Sequence, residues 1–197
     1  MTTTTLTSTS ELTVAPASEV HVAFVRNVNL GQRGHPSADD LLSAFAAAGA
    51  PDALSFQSNG TIVFTARAAE AESLAQDAVA ALARAAGHER EVFTASLASL
   101  RPLVDEHGSA IDTHRRELTL HGGPALEADS VALLEGERRA HCTVLDSAPG
   151  WVVTLNLRDR QSNGTPLVEH ALGIPATSRG LPTLVRLFEK VEAGLLA

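Results

Sequence analysis

Arg26, Asn27 and Asn29 stand at the end of one apolar run, and Gln57, Ser58 and Asn59 occupy a turn about thirty residues later. A guanidinium meets a carboxylate or phosphate with two parallel N–H donors, and amide side chains both donate and accept. Together with Arg179 near the C-terminus, these residue types suit an anionic or amide-bearing small ligand. The same residues have structural uses, because Asn, Gln and Ser satisfy stray backbone groups in turns and Arg26 could pair with an acidic neighbour.

Other chemistries find less support. The eight histidines, His21, His35, His88, His107, His114, His121, His141 and His170, include no pair at the i, i+4 or two-apart spacing that would preform a metal site, so no metal is expected. Cys142 is the only cysteine and sits inside an apolar run, as a small core residue does. Ser58 and Ser162 lie in turns outside any strand-turn-helix elbow, which argues against a serine hydrolase. The loop after Arg26 holds Gly31 and Gly34 but neither a dinucleotide fingerprint nor a P-loop Gly-Lys-Ser/Thr, and no cofactor is expected. Asp39 and Asp40 suit the positive end of a helix, and Trp151 reads as a core anchor because no aromatic platform for bases accompanies it.

A chain of 197 residues that is 44% apolar can bury a core as one domain or two small ones. Fifteen Lys and Arg against twenty-three Asp and Glu give a net charge of -8, which disfavours a polyanion partner, so no nucleic acid is expected. No apolar stretch approaches the roughly 18 residues of a membrane span, and no basic residue precedes Arg26, so neither a membrane nor an export signal is expected. The lone cysteine fits a reducing, cytoplasmic compartment.

The elements that must hold these residues follow from pattern. Eight of the first ten residues are Thr or Ser, and residues 1–18 read as a disordered tail. Val20 to Arg26 is a strand feeding the Gly-containing loop, and Ser37 with Asp40 opens a helix over 38–48. Ala53–Gln57 and Thr61–Thr65 flank Asn59-Gly60, a hairpin signal. Ala69 to Ala86 is a helix stopped at Gly87, Glu91–Thr94 a strand, and Ser96 or Thr94 caps a helix through Val104. The order over 19–104 is β-α-β-β-α-β, the ferredoxin-like split. Such a sheet brings the end of its first strand and its hairpin turn to one edge, with the N-terminus of the helix near Ser37 pointing there, a combination that welcomes an anion.

Residues 105–197 read as a second, smaller α/β unit packed on the first. Its strands are 117–120, 140–145 and 151–155, and its helices Thr165–Leu172 and Leu181–Ala193, with Pro182 in the first turn of the latter. A further helix around Ser130–Leu134 would make this half echo the first. The fold class is therefore α+β.

Three stretches resemble a known bacterial family. Phe24-Val25-Arg26-Asn27-Val28-Asn29-Leu30-Gly31, Phe56-Gln57-Ser58-Asn59-Gly60-Thr61-Ile62-Val63-Phe64 and Leu172 to Leu184, which holds Arg179-Gly180-Leu181-Pro182-Thr183, are similar in order and spacing to the family catalogued as domain of unknown function 1697. The resemblance implies an α+β protein with ferredoxin-like subdomains and no established activity. Arg26, Asn29, Gln57, Ser58, Arg179 and Thr183 match residue by residue. Asn27 stands for the family's first loop glycine and Gln32 for its last, the family's Gly-Arg-Ser-Lys-Leu segment is replaced by Arg160 to Gly164, and its lysine and tryptophan have no counterpart.

The expectation is a bacterial small-molecule binding module, monomer or homodimer, with Arg179 closing the edge of Arg26, Asn29, Gln57 and Ser58. Two other classes stay open: a metal-independent enzyme on a small metabolite, for which His35 is the nearby acid–base candidate, and a protein-interaction or self-associating module.

Overall fold

The computed structural model describes residues 17–87 and 89–194. Residues 1–16, most of the expected tail, lie outside the described residues, as does His88.

The first half runs β1 (Glu19–Val25), α1 (Ala38–Ala47), β2 (Leu54–Phe56), β3 (Thr61–Ala66), α2 (Ala71–Ala86), β4 (Val92–Ser96) and α3 (Leu97–Gly108). The second repeats that order as β5 (Arg116–His121), α4 (Val131–Ala140), β6 (Cys142–Ala148), β7 (Trp151–Asn156), α5 (Gly164–Leu172), β8 (Ala176–Gly180) and α6 (Leu181–Glu192). Two four-stranded antiparallel sheets result, ordered β2-β3-β1-β4 and β6-β7-β5-β8. The chain is an α+β protein, and the second half, expected to be smaller, has as many strands as the first. Two elements account for the difference. β8 pairs with β5 from Ala176↔His121 to Gly180↔Glu117, and α4 extends to Ala140, so that Ala140 and His141 are helix end and cap rather than strand.

The register makes the halves correspond residue by residue. Val22 faces Ala95 on β4 and Val63 on β3, and Leu118 faces Arg179 on β8 and Val153 on β7. In each half the first strand's end donates the same tie: Val25 N–H to Gly60 O at 2.8 Å, and His121 N–H to Gly150 O at 3.0 Å.

Sequence alternation decides which face is buried against what. On β1, Ala23 and Val25 pack with Leu41 and Phe45 of α1 and Ala75, Ala78 and Leu82 of α2. Val22 and Phe24 point the other way, into a central core with Leu118, Leu120 and Val153 of the second sheet. The same core takes Leu97, Leu100, Leu103 and Val104 of α3 and Leu181, Leu184, Leu187 and Phe188 of α6. Those are matching i, i+3, i+6, i+7 stripes on two equivalent helices. A third cluster, with Leu133, Cys142, Val152, Leu167 and Val168, lies under α4 and α5. Trp151 is half-buried against the central core.

Caps fix the helix ends. Ser37 and Asp40 form a capping box at α1, and Ser96 accepts from Ser99 N–H at α3. α2 and α5 both stop at a left-handed glycine, Gly87 at φ 71° and Gly173 at φ 68°. No helix among the described residues is long and apolar enough to cross a membrane.

Candidate functional site

The edge expected from topology does assemble. Leu30 N–H donates to Ser58 O at 2.7 Å, joining the loop after β1 to the β2–β3 turn. Asn27, Asn29, Gln57 and Ser58 are exposed there, and Asn59 is half-buried with its side-chain Oδ1 accepting from Thr61 Oγ1 at 2.8 Å. Asn27 and Gln57 hold φ of 55° and 63°. The first is the position where the family has glycine, and Asn is the residue that tolerates that conformation best after it.

The two arginines come to this edge from opposite halves, and the protein itself occupies both. Arg179, 7% exposed, spends all five N–H donors. Nε donates to Thr61 Oγ1 (2.9 Å), Nη1 to Thr177 Oγ1 (3.1 Å) and Ser178 O (2.8 Å), and Nη2 to Val25 O (3.1 Å) and Asn59 O (2.7 Å). Its guanidinium lies 4.9 Å from the centroid of the Phe24 ring. All five acceptors are neutral, and burial pushes the Arg179 pKa down to about 10. Arg179 thus closes the edge as expected, but with no donor left for an external anion. It is a strut between the halves.

Arg26 reaches the other way. Nη1 meets Glu91 Oε2 at 3.2 Å, and Nη2 meets Glu169 Oε1 of α5 at 2.5 Å. The two helix N-termini that would attract anions are also provided for. Asp40 Oδ2 accepts from Ser37 N–H and Oγ–H at α1, which holds its carboxyl below the usual carboxylate range. Glu117, 6% exposed, accepts from Asn163 and Gly164 N–H at the start of α5, 3.0 and 3.1 Å away. Arg179 thus has no donor for an anion and Arg26 is already paired with two carboxylates, while the amide-rich surface keeps its donors and acceptors.

His35 accepts Asn29 N–H at Nδ1, 3.1 Å away. A neutral imidazole so engaged carries its proton on Nε2, which leaves it no lone pair to act as a base. In that form His35 can give up a proton from Nε2 but cannot take one there.

Among the described residues, Glu106, His107 and Asp146 bring three potential ligand atoms within 4.8 Å of one another, a cluster with no signature in sequence spacing. His107 is buried, its Nδ1 sits 2.9 Å from Arg116 Nη1, and its Nε2 lies 3.7 Å from Asp146 Oδ2. Arginine is always the donor, so Nδ1 is the acceptor and Nε2 bears the proton. A metal on Nε2 would first have to displace Arg116.

An open space lies on the same sheet edge, on the β4 side of β1 rather than the β3 side. A cleft of about 900 Å³ is walled by Val79 and Ala83 of α2, Phe93 of β4, and Gly122, Ile174 and Pro175 of the second half. Its rim carries both signs of charge, including Glu72, Arg84 and Glu89. Arg84 and Glu89 are exposed, with no partner among the described residues. Glu91 also lines it, with its carboxylate turned to Arg26. Sequence reasoning missed this cleft because part of its wall comes from Gly122, Ile174 and Pro175, residues of the second half that carry no polar signature.

The fold thus defines an α+β protein of two repeated halves joined by arginine struts around a cleft. Residues 19–142 of the chain match the family described as "Protein of unknown function (DUF1697)", and the chain belongs to that family. The match ends before the block at 172–184, whose Arg179 the structure places against the first half. No curated protein matches the chain. Among solved structures it is similar to a conserved bacterial protein from Streptococcus pneumoniae, with a TM-score of 0.54 at 15% identity over 91% of this chain and 99% of that one. At that identity the likeness speaks of the fold alone.

Proposed function

We propose that the chain is a cytoplasmic small-molecule binding module, monomeric or homodimeric, whose ligand occupies the cleft between α2, the start of β4 and the second half. The cleft carries this reading. Its volume of about 900 Å³ lies within the range of roughly 300–1,000 Å³ that small ligands use. Its inner wall is apolar and its rim is charged, the usual division between burial and orientation. In this reading residues 19–104 and 105–197 are the two units. The order β2-β3-β1-β4, with β3 between β1 and β2, supports a ferredoxin-like first unit, and the second unit repeats that order. Arg26 and Arg179 hold the units around the cleft. The amide surface of Asn27, Asn29, Gln57, Ser58 and Asn59 lies across β1 from it, within the same sheet edge.

The test is a thermal-shift panel of amides, carboxylates, nucleotides and neutral aromatic metabolites, run on the protein and on Ala83→Trp, which fills the cleft from α2. A ligand at 100 times its dissociation constant stabilises by about 2.7 kcal/mol. A hit that Ala83→Trp abolishes supports the reading. A well-folded protein that no member of the panel shifts refutes it.

A further inference from the structure

The two joints between the halves occupy equivalent places in the repeat, yet one is filled and the other is open. Strand register supplies the equivalences. Val25 pairs with Val92 across β1 and β4, and His121 pairs with Ala176 across β5 and β8. The next residue after β1 is Arg26 and after β5 is Gly122, while the residue before β4 is Glu91 and before β8 is Pro175. The helix caps supply the third equivalence, because Gly87 N–H donates to Ala83 O at 2.7 Å and Gly173 N–H to Glu169 O at 3.0 Å. Arg26, Glu91 and Glu169 therefore correspond to Gly122, Pro175 and Ala83.

In one joint those three positions make a plug: a guanidinium between two carboxylates, at 3.2 and 2.5 Å. In the other they are a bare backbone, a ring and a methyl group, and all three line the cleft. The cleft is the space left where the repeat's ion-pair plug is absent. The part of its wall formed by Val79, Ala83, Phe93, Ile174 and Pro175 is apolar, so a charge buried against it would find no partner. Its mouth has Arg84 and Glu89, both exposed and neither with a partner among the described residues, and Glu72 and Arg90 also line it. A ligand carboxylate would suit the arginines but face the glutamates, and an ammonium would suit the glutamates but face the arginines. A carboxamide meets both signs, accepting from the guanidinium and donating to a carboxylate.

We propose that this unplugged joint binds a compact aromatic amide, its ring in the space the Arg26 side chain fills in the other joint and its carboxamide at the Arg84–Glu89 mouth. This rests on the reading of the chain as a small-molecule binding module and adds to it the ligand class and the residues that keep the site open.

The decisive variant restores the plug. Ala83→Glu combined with Gly122→Arg places a carboxylate and a guanidinium at the positions of Glu169 and Arg26. A Cβ on Gly122 meets nothing within 4 Å, so the backbone accepts the change. Binding of 2-naphthamide, 2-naphthoate and 2-naphthylmethylammonium would be followed by amide chemical shifts in the full-length protein and in this double variant. Melting of both proteins would establish that each is folded. The expected result is saturable 2-naphthamide binding at one site, at least tenfold tighter than either charged analogue. The double variant should lose it by tenfold or more with an unchanged or higher Tm, and Arg84→Ala should narrow the preference for the amide severalfold. Should the double variant fail to fold, Ala83→Trp alone blocks the same wall and must have the same effect. Equal affinity of the folded plugged variant, no preference for the amide, or no binding of 2-naphthamide at all would each overturn the proposal. A ligand from the wider panel that binds the protein but ignores the plug would leave the binding-module reading standing and remove this one. Silence of the whole panel would remove both.

Discussion

Replacing Arg179 by methionine tests whether this buried cation is a strut. The substitution keeps an unbranched apolar stem and removes five N–H donors, leaving Val25 O, Asn59 O and Ser178 O each short of a partner, while the Thr61 and Thr177 hydroxyls can turn to others. Three deprived carbonyls, one buried and two partly buried, at about 1–3 kcal/mol each come to roughly 3–9 kcal/mol. Against this stands relief from burying a charge. The Arg179 pKa is lowered from 12.5 to about 10, which corresponds to about 3 kcal/mol. The middle of that range, about 6 kcal/mol, less about 3 leaves a net loss of about 3 kcal/mol, a large share of the roughly 5–15 kcal/mol of a typical native state. At about 2–4 °C per kcal/mol for a chain of this size, Tm should fall by on the order of 10 °C. Urea unfolding followed by circular dichroism measures it, and the m-value should not change. Arg179→Lys keeps the charge but presents three donors from one point, so it should lose about 2–3 kcal/mol rather than rescue the fold. A double-mutant cycle with Thr61→Val should show coupling of about 1 kcal/mol. A loss below about 1 kcal/mol for Arg179→Met would refute the strut.

Gly164→Ala should destabilise by about 2–3 kcal/mol in the same urea assay, because its Cβ would lie 2.3 Å from Thr119 Oγ1 and 2.9 Å from Thr154 Oγ1. Gly122→Ala, with open space around its Cβ, should stay within about 0.5 kcal/mol. Burial raises the Cys142 pKa from 9.0 to about 12, so at pH 8 the native thiol should react with a disulfide reagent about a thousandfold more slowly than the urea-unfolded chain. The sign for stability follows: the folded state holds this proton more tightly, so the stabilisation is complete below pH 9 and is lost as pH rises toward 12, and Cys142→Ala should lack that decline. Ser96→Ala removes the side chain that accepts Ser99 N–H at the start of α3 and should cost about 1 kcal/mol, read as a shift in urea midpoint.

The elements legible in the sequence are those whose own residues dictate their conformation. Val22, Phe24, Ala23 and Val25 apolar on both faces of β1 demand a sheet covered on two sides, and the central core and the α1–α2 layer provide that cover. Asn59-Gly60 specifies its turn through the positive φ of Gly60. β8 was not legible because Ala-Thr-Ser-Arg-Gly has little strand preference of its own and is extended by its ladder with β5. The α4 segment hid its length behind Gly136 and four charged residues, although Gly136 is what lets the helix approach Leu167. At the candidate site, topology alone foretold that Arg26 and the 57–59 turn would share an edge. The partners of Arg26 could not be foretold, since Glu91 and Glu169 lie 65 and 143 positions away.

The repeat also explains why the struts are arginines and why each occurs once. Arg179 on β8 is equivalent to Ala95 on β4, and Thr61, which it binds, is equivalent to Trp151, since Phe24 faces Thr61 and Leu120 faces Trp151. At one pair of positions a long polar side chain stands beside a small residue, and the equivalent positions hold a methyl group and an indole, both against the central core. Volume is conserved across the two halves while polarity is not. The guanidinium can stand in for an aromatic ring here because its face packs on Phe24 while its edge satisfies the carbonyl ends of β1 and the hairpin turn. At the Arg26 joint that exchange is missing: Gly122, Pro175 and Ala83 offer no bulk in return for Arg26, Glu91 and Glu169. A core position would collapse or be refilled under that loss. This position sits at the surface between two rigid sheets held apart by the struts, and so it remains open as the cleft.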